Sequence, residues 1–140
     1  MGCQHARLCA TVAPLRRLKI FFDGGCRPNP GRIEVAVVAG GVATFVDDLG
    51  HGSSEDAEWL ALIEALRLAR SLGAPDFDLI GDNLHVVTVA NGRARCRTPA
   101  SAGHFACFNA LAGAAPPTRI RWVQRSQNLA GIALARRRGG

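Results

Sequence analysis

The chain has 140 residues, 48% apolar and 20% charged, the composition of a folded globular protein and not of a disordered one. No apolar run approaches the roughly 20 residues that a membrane span needs. The first fifteen residues hold neither a sustained apolar stretch nor a cleavage pattern, so no signal peptide and a cytoplasmic location are expected.

That length suits one domain with a real core, expected over residues 18–138 behind an irregular leader at 1–17. Cys3, Cys9, Cys26, Cys96 and Cys107 are odd in number, scattered and free of any C-x-x-C pair. The pattern predicts reduced thiols, against a disulfide framework or a zinc site.

The net charge of +6 is unevenly spread. Through Asp82 there are eight Lys/Arg against eleven Asp/Glu, a balance of −3. From Asn83 onward there are nine arginines and no acidic residue. A basic half beside an acidic one is the asymmetry of a chain that meets polyanions. In the plainer reading, Arg136, Arg137 and Arg138 are a frayed basic tail.

In chain order, residues 18–23 read as a strand, turned by Arg27-Pro28-Asn29-Pro30-Gly31. Residues 33–39 are β-branched and fit a second strand, and Gly40-Gly41 turns into a third at 42–47. The three form an antiparallel meander. Ser53 or Ser54 can cap the long helix that follows, with Glu55 and Asp56 in its first turn.

That helix, about 55–71, has the clearest periodicity in the chain. At about 100° per residue, Trp59, Leu62, Ile63 and Leu66 share one face with Ala61, Ala65 and Ala69. Asp56, Glu64 and Arg67 fall on the other face. Glu58 lies inside the apolar arc, one turn before Leu62, where solubility alone would not place a carboxylate.

Gly73-Ala74-Pro75 ends the helix, and residues 77–82 read as a short buried strand. A strand–helix–strand order with this spacing predicts a right-handed crossover to a parallel strand. Short helices are expected at 85–90 and 103–111, a strand at 119–124 and a last helix at 127–137. The result is an α/β fold, a five-stranded mixed sheet flanked by helices.

Asp23 and Asp82 each end a strand, and ligands collect at the carboxyl ends of strands in such sheets. Glu58 can reach them from the helix packed over the sheet. Three gathered carboxylates repel one another and raise each other's pKa, and Mg²⁺ or Mn²⁺, which favour oxygen ligands, remove that cost. Two such ions about 4 Å apart can activate a water and stabilise a leaving oxygen. Each residue also has a structural alternative: Asp23 as a turn residue, Asp82 as a helix cap, Glu58 as a paired structural glutamate.

The segment Asp23-Gly24-Gly25-Cys26-Arg27-Pro28-Asn29-Pro30-Gly31 resembles the first motif of the type 1 ribonuclease H family, in its short bacterial form. Glu58 with Ala61 and Glu64-Ala65-Leu66, then Gly81-Asp82-Asn83 with Val86-Val87, resemble its next two motifs. Trp122-Val123 through Arg125, Asn128 and Leu134-Ala135 resembles its last strand and helix. The likeness runs from about Leu18 to Arg137 and implies a ribonuclease H-like fold.

It further implies that Asp23, Glu58 and Asp82 bind two Mg²⁺ or Mn²⁺ ions and cut the RNA strand of RNA/DNA hybrids. Gly24, Cys26, Asn29, Ser54, Asn83, Arg125 and Asn128 would then line the substrate, several along the RNA 2′-hydroxyls. Asn29 is also a turn residue in its own right, and Ser54 a cap. A monomer with no membrane partner is expected, its later arginines binding phosphates, with Arg93, Arg95 and Arg97 as a reduced basic grip.

The chain departs from the pattern at one point. The family's last helix usually carries an Ala-Asp pair, and Gly131-Ile132 stands there, with Asn128 the nearest oxygen donor. Two functions follow: an endonuclease, slowed by the lost carboxylate, or a non-catalytic hybrid-binding module on the same fold.

Overall fold

A computed structural model describes residues 17–139. The meander is formed by β1 (Leu18–Cys26), β2 (Gly31–Ala39) and β3 (Val42–Val46), followed by a two-residue β4 (His51–Gly52). Helix α1 (Ser54–Ser71) leads to β5 (Phe77–Gly81), and two further helices follow, α2 (Leu84–Ala90) and α3 (Pro99–Ala112). Strand β6 (Arg119–Trp122), a 3₁₀ turn (Arg125–Gln127) and α4 (Leu129–Gly139) complete the order.

The sheet runs β3-β2-β1-β5-β6, with β4 beside β2. β2 is antiparallel to both β1 and β3, whereas β5 is parallel to β1 and β6 to β5. The mixed sheet expected from the sequence is therefore present, with β4 as an unforeseen addition.

The two faces of the sheet are covered unequally. Trp59, Leu62 and Leu66 of α1 bury against Ile20 and Phe22 of β1, Val35 of β2 and Leu79 of β5. Truncating a side chain such as Leu62 would cost about 2–5 kcal/mol, through lost transfer energy and the cavity left behind. On the opposite face a smaller cluster joins Ala36 and Val38 to Ala130 and Leu134 of α4.

Local chemistry sets where α1 begins. Ser53 Oγ accepts from the Asp56 N–H at 3.0 Å, and Asp56 Oδ2 accepts from the Ser53 N–H at 2.9 Å. This reciprocal capping box settles the choice between the two serines in favour of Ser53. His104 Nε2 of α3 lies 3.0 Å from Asp56 Oδ1 and ties α3 to the same turn.

Several boundaries differ from the sequence reading. β1 does not stop at Asp23; Gly24, Gly25 and Cys26 pair with Val35, Glu34 and Ile33, so the carboxylate projects from within a strand. Asp23 is therefore not a turn residue. α3 begins at Pro99, ahead of the expected residue 103, with Thr98 Oγ1 accepting from the Ser101 N–H at 3.1 Å. Its first turn is too small and polar to show apolar periodicity, and the Thr-Pro cap carries the signal instead.

The last helix starts at Leu129, not 127, because Asn128 is extended and its Oδ1 accepts from the Ala130 N–H at 3.1 Å. The expected leader at 1–17 lies outside the described residues except for Arg17, whose Nε donates to Asp76 Oδ1 at 3.0 Å. Among the described cysteines, Cys26, Cys96 and Cys107 are free thiols.

Two glycines allow the closest approaches around β1. A Cβ on Gly24 would lie 2.1 Å from the Ala57 carbonyl oxygen of α1, and one on Gly81 would lie 2.4 Å from the Phe22 ring. Neither backbone oxygen nor core ring can step aside. Gly24→Ala is expected to lower stability by about 3 kcal/mol, read as the denaturant midpoint; a wild-type midpoint would show that α1 is not seated on this glycine.

Candidate metal centre

Parallel register carries two carboxylates to the same level of the sheet. Phe21 is paired with Ile80, so two residues further along, Asp23 within β1 meets Asp82 just past the end of β5. The third comes from α1, held by the Gly24 contact so that Glu58 reaches over the strand. One carboxylate oxygen from each of Asp23, Glu58 and Asp82 lies within 4.8 Å of the others.

These groups are nearly out of water. Asp23 is 5% exposed and Glu58 6%, and the Asp82 side chain is 4% exposed. Burial, then the neighbouring Asp82, raises the Asp23 pKa to about 6, against the opposing pull of Arg125 and Arg138. Burial, then Asp23 and Asp82, lifts Glu58 to about 9, partly offset by the Gly24 N–H and Arg125. Glu58 Oε1 is buried with no hydrogen-bond partner among the described residues. Three close oxygen donors, one of them unsatisfied, fit a hard divalent cation such as Mg²⁺ or Mn²⁺.

The structural alternatives for Asp82 and Glu58 do not describe what these side chains do. Asn83, not Asp82, caps α2, its Oδ1 accepting from the Val86 N–H at 3.0 Å. Among the described residues Glu58 forms no ion pair, so it is not a paired structural glutamate.

Asn128 differs from its expected role. It is 0% exposed, and its Nδ2 donates to both the Phe22 carbonyl and Asp82 Oδ2 at 3.0 Å. Its oxygen accepts from the Ala130 N–H, so the end turned to Asp82 is the N–H. Asn128 positions Asp82 and does not border the cavity described below.

A cavity of about 300 Å³ opens beside Asp23 and Glu58, and Gly24, Cys26, Asn29, Ser54, Asn83 and Arg125 all border it. The turn after β1 is tied to the start of α1. Asn29 Oδ1 accepts from the Ser54 N–H and its Nδ2 donates to Ser54 Oγ, both at 3.1 Å. Cys26 Sγ lies 3.4 Å from the Gly52 carbonyl oxygen, which fixes the same wall. A larger depression of about 510 Å³ between Lys19, Val38 and Leu129 has no acidic residue in its lining.

The sequence marked Gly131 as standing at the family's Ala-Asp pair, but it did not reveal the places of Gly25 and Arg138. Gly131 faces the carboxylates, and a Cβ there would sit 3.5 Å from both Asp23 Oδ2 and Asp82 Oδ2. Gly25 and Arg138 meet at the cavity edge, where a Cβ on Gly25 would lie 3.1 Å from Arg138 Nη2. The frayed-tail reading of the terminal arginines hid this. All three are helical, Arg137 pairing with Asp47 and Arg138 with Glu34.

Known proteins share this arrangement of elements. A curated ribonuclease HI from Halobacterium salinarum is 39% identical over 59% of the chain. The match spans 45% of that protein, so the chain accounts for about half of its length.

Among solved structures, ribonuclease H1 from Halobacterium salinarum NRC-1 superposes with a TM-score of 0.77 at 28% identity, covering 85% of this chain and 94% of the other. The N-terminal ribonuclease H domain of rv2228c from Mycobacterium tuberculosis gives 0.70 at 26%, over 85% and 95%. LC11-RNase H1, solved with an RNA/DNA hybrid, gives 0.75 at 22%, over 84% and 93%, a likeness of fold.

The family model described as reverse transcriptase-like matches residues 22–138. With that match spanning the sheet, α1 and the clustered carboxylates, the chain belongs to the reverse transcriptase-like family and has the ribonuclease H-like fold.

Proposed function

We propose that this protein is a metal-dependent endoribonuclease that hydrolyses the RNA strand of RNA/DNA hybrids. The observation that carries the proposal is the trio Asp23, Glu58 and Asp82, with oxygens within 4.8 Å of one another at the edge of an open cavity. The ribonuclease HI relative and the hybrid bound to LC11-RNase H1 support the choice of substrate.

In this reading the three carboxylates are the catalytic residues and hold the metal. Mg²⁺ or Mn²⁺ bound among them would supply an activated water and neutralise charge on the leaving oxygen. Asp23 and Asp82, fixed on adjacent strands, set the spacing of the oxygens. Asn128 holds Asp82 in place through its Nδ2. Glu58, raised to about 9, holds its proton at neutral pH in the metal-free site.

Gly24, Cys26, Asn29, Ser54 and Asn83 would face the RNA strand, and Arg125 a phosphate. Asn29 and Ser54 hydrogen-bond each other, so contact with a 2′-hydroxyl would replace that exchange. Arg93, Arg95 and Arg97 are exposed between α2 and α3 and would add salt-sensitive, sequence-independent affinity. The enzyme would act as a monomer in the cytoplasm, whose reducing conditions suit its free thiols.

A second reading rests on one observation. No acidic residue follows Asp82, so α4 brings none to the carboxylates that Gly131 faces. A chain unable to organise its metal would bind hybrid without cutting it, and Ile132→Asp would then restore cleavage.

Cleavage of an end-labelled RNA/DNA hybrid with Mg²⁺ or Mn²⁺ separates these readings. Asp23→Asn and Asp82→Asn are each expected to lower kcat about a hundredfold or more. Cleavage that survives both substitutions would sink the assigned roles. Salt-dependent binding with no cleavage at millimolar Mn²⁺ would favour the second reading.

The raised pKa values also predict a pH-dependent stability. Both carboxyls have folded pKa values above their ordinary 3.8 and 4.5, so each favours the fold while protonated. Stability is fully present below the ordinary values and lost as pH rises toward about 6 for Asp23 and about 9 for Glu58. In EDTA, Glu58→Gln should therefore melt several degrees above wild type at pH 8, with little difference at pH 4. Added Mg²⁺ should raise the wild-type Tm and leave the variant nearly unmoved. A variant less stable than wild type at pH 8 in EDTA would contradict the buried-charge account.

A further inference from the structure

We propose that Arg138 is a phosphate-binding residue of the cleft, contributed by the last helix to hold the substrate backbone beside the carboxylates. The inference rests on the nuclease reading above and assigns a substrate contact to a residue outside the motifs of the sequence.

Four observations converge on this side chain. α4 continues to Gly139, so Arg138 projects from a helix that packs on β1 and β2. Its Nε donates to Glu34 Oε1 at 2.6 Å, and Glu34 is the cross-strand partner of Gly25. Gly25 has no Cβ, and the guanidinium fills that space, with Nη2 and Nη1 at 3.1 and 3.6 Å from where a Cβ would lie. Arg138 borders the same cavity as Asp23 and Glu58, and its Nη2 is buried without a hydrogen-bond partner among the described residues.

An unmet donor on a buried charged group is costly. It is tolerated where a ligand completes it, and a guanidinium edge with one side already on Glu34 presents the other to a phosphate oxygen. Arg125 borders the cavity too, but its side chain is 79% exposed, whereas that of Arg138 is 21% exposed and tethered. Arg138 is thus the preorganised cation of the pair, with less side-chain entropy to lose on binding. Three carboxylates alone would repel an incoming phosphodiester.

The test compares the full-length wild type with Arg138→Ala, Arg138→Lys and Gly25→Ala. Binding of a fluorescent RNA/DNA hybrid is followed by anisotropy across a salt series in EDTA, and steady-state cleavage is followed in Mn²⁺. Arg138→Ala should weaken binding about tenfold and reduce the salt slope by about one, raising KM more than it lowers kcat. Arg138→Lys should recover the salt slope but not the full affinity. Gly25→Ala, which keeps the charge but fills its seat, should weaken binding as well.

Thermal melts identify any variant that fails to fold, and Arg138→Lys and Gly25→Ala carry the test if Arg138→Ala does. A wild type that cleaves hybrid, with affinity and salt slope unchanged in the folded variants, overturns the role of Arg138 alone. A wild type that neither binds nor cleaves hybrid overturns the nuclease reading itself.

Discussion

Asp23, Glu58 and Asp82 stand closer together, and further from water, than like charges stay unaided. Ionising all three without a cation carries a repulsion that rises as burial removes the screening of solvent. The surrounding fold must supply the difference. It does so through the backbone contact between Gly24 and Ala57, which presses α1 on β1 and holds Glu58 over the strand. The apolar cluster around Trp59, Leu62 and Leu66 drives that contact. The core and the site are therefore two ends of one lever.

Much of this was legible because it follows periodicities. The apolar run of β1 leading into a carboxylate and the helical arc of α1 brought out Asp23 and Glu58, and burial agrees with both. The parallel register of β5 with β1, which sets Asp82 beside Asp23, followed from crossover spacing. What escaped depends on geometry at a distance. Glycine has no side chain to announce that a backbone or a guanidinium needs its space, as Gly24 and Gly25 show. Asn128 was read as an oxygen donor because sequence shows an amide but not which end it turns. Only the N–H of Ala130 and the carbonyl of Phe22 fix that choice.

The C-terminal helix was placed to within two residues at each end, but where its arginines point was not legible, and it bears most on the chemistry. Ala130 and Leu134 give it an apolar foothold on β2, while Arg136, Arg137 and Arg138 look like a solubilising tail. The foothold makes the tail helical, and the helix delivers Arg138 to Glu34 and Gly25. A charge run read by composition says nothing of direction. Once the helix is seated, successive arginines point to different places, Arg137 over Phe45 and Asp47 and Arg138 toward the cleft.

That placement changes the electrostatics of the centre. Asp23, Glu58 and Asp82 contribute −3 when ionised, and Arg125 and Arg138, the cations bordering the cavity, contribute +2, for a sum of −1. One divalent ion would bring the sum to +1, and a second would bring it to +3 before any substrate arrives. Each added positive charge would work against the next, so in the proposed two-ion reading a second ion would bind more weakly than the first. A last helix that brings an arginine and no carboxylate would make that second ion lean more on the charge of a bound phosphate.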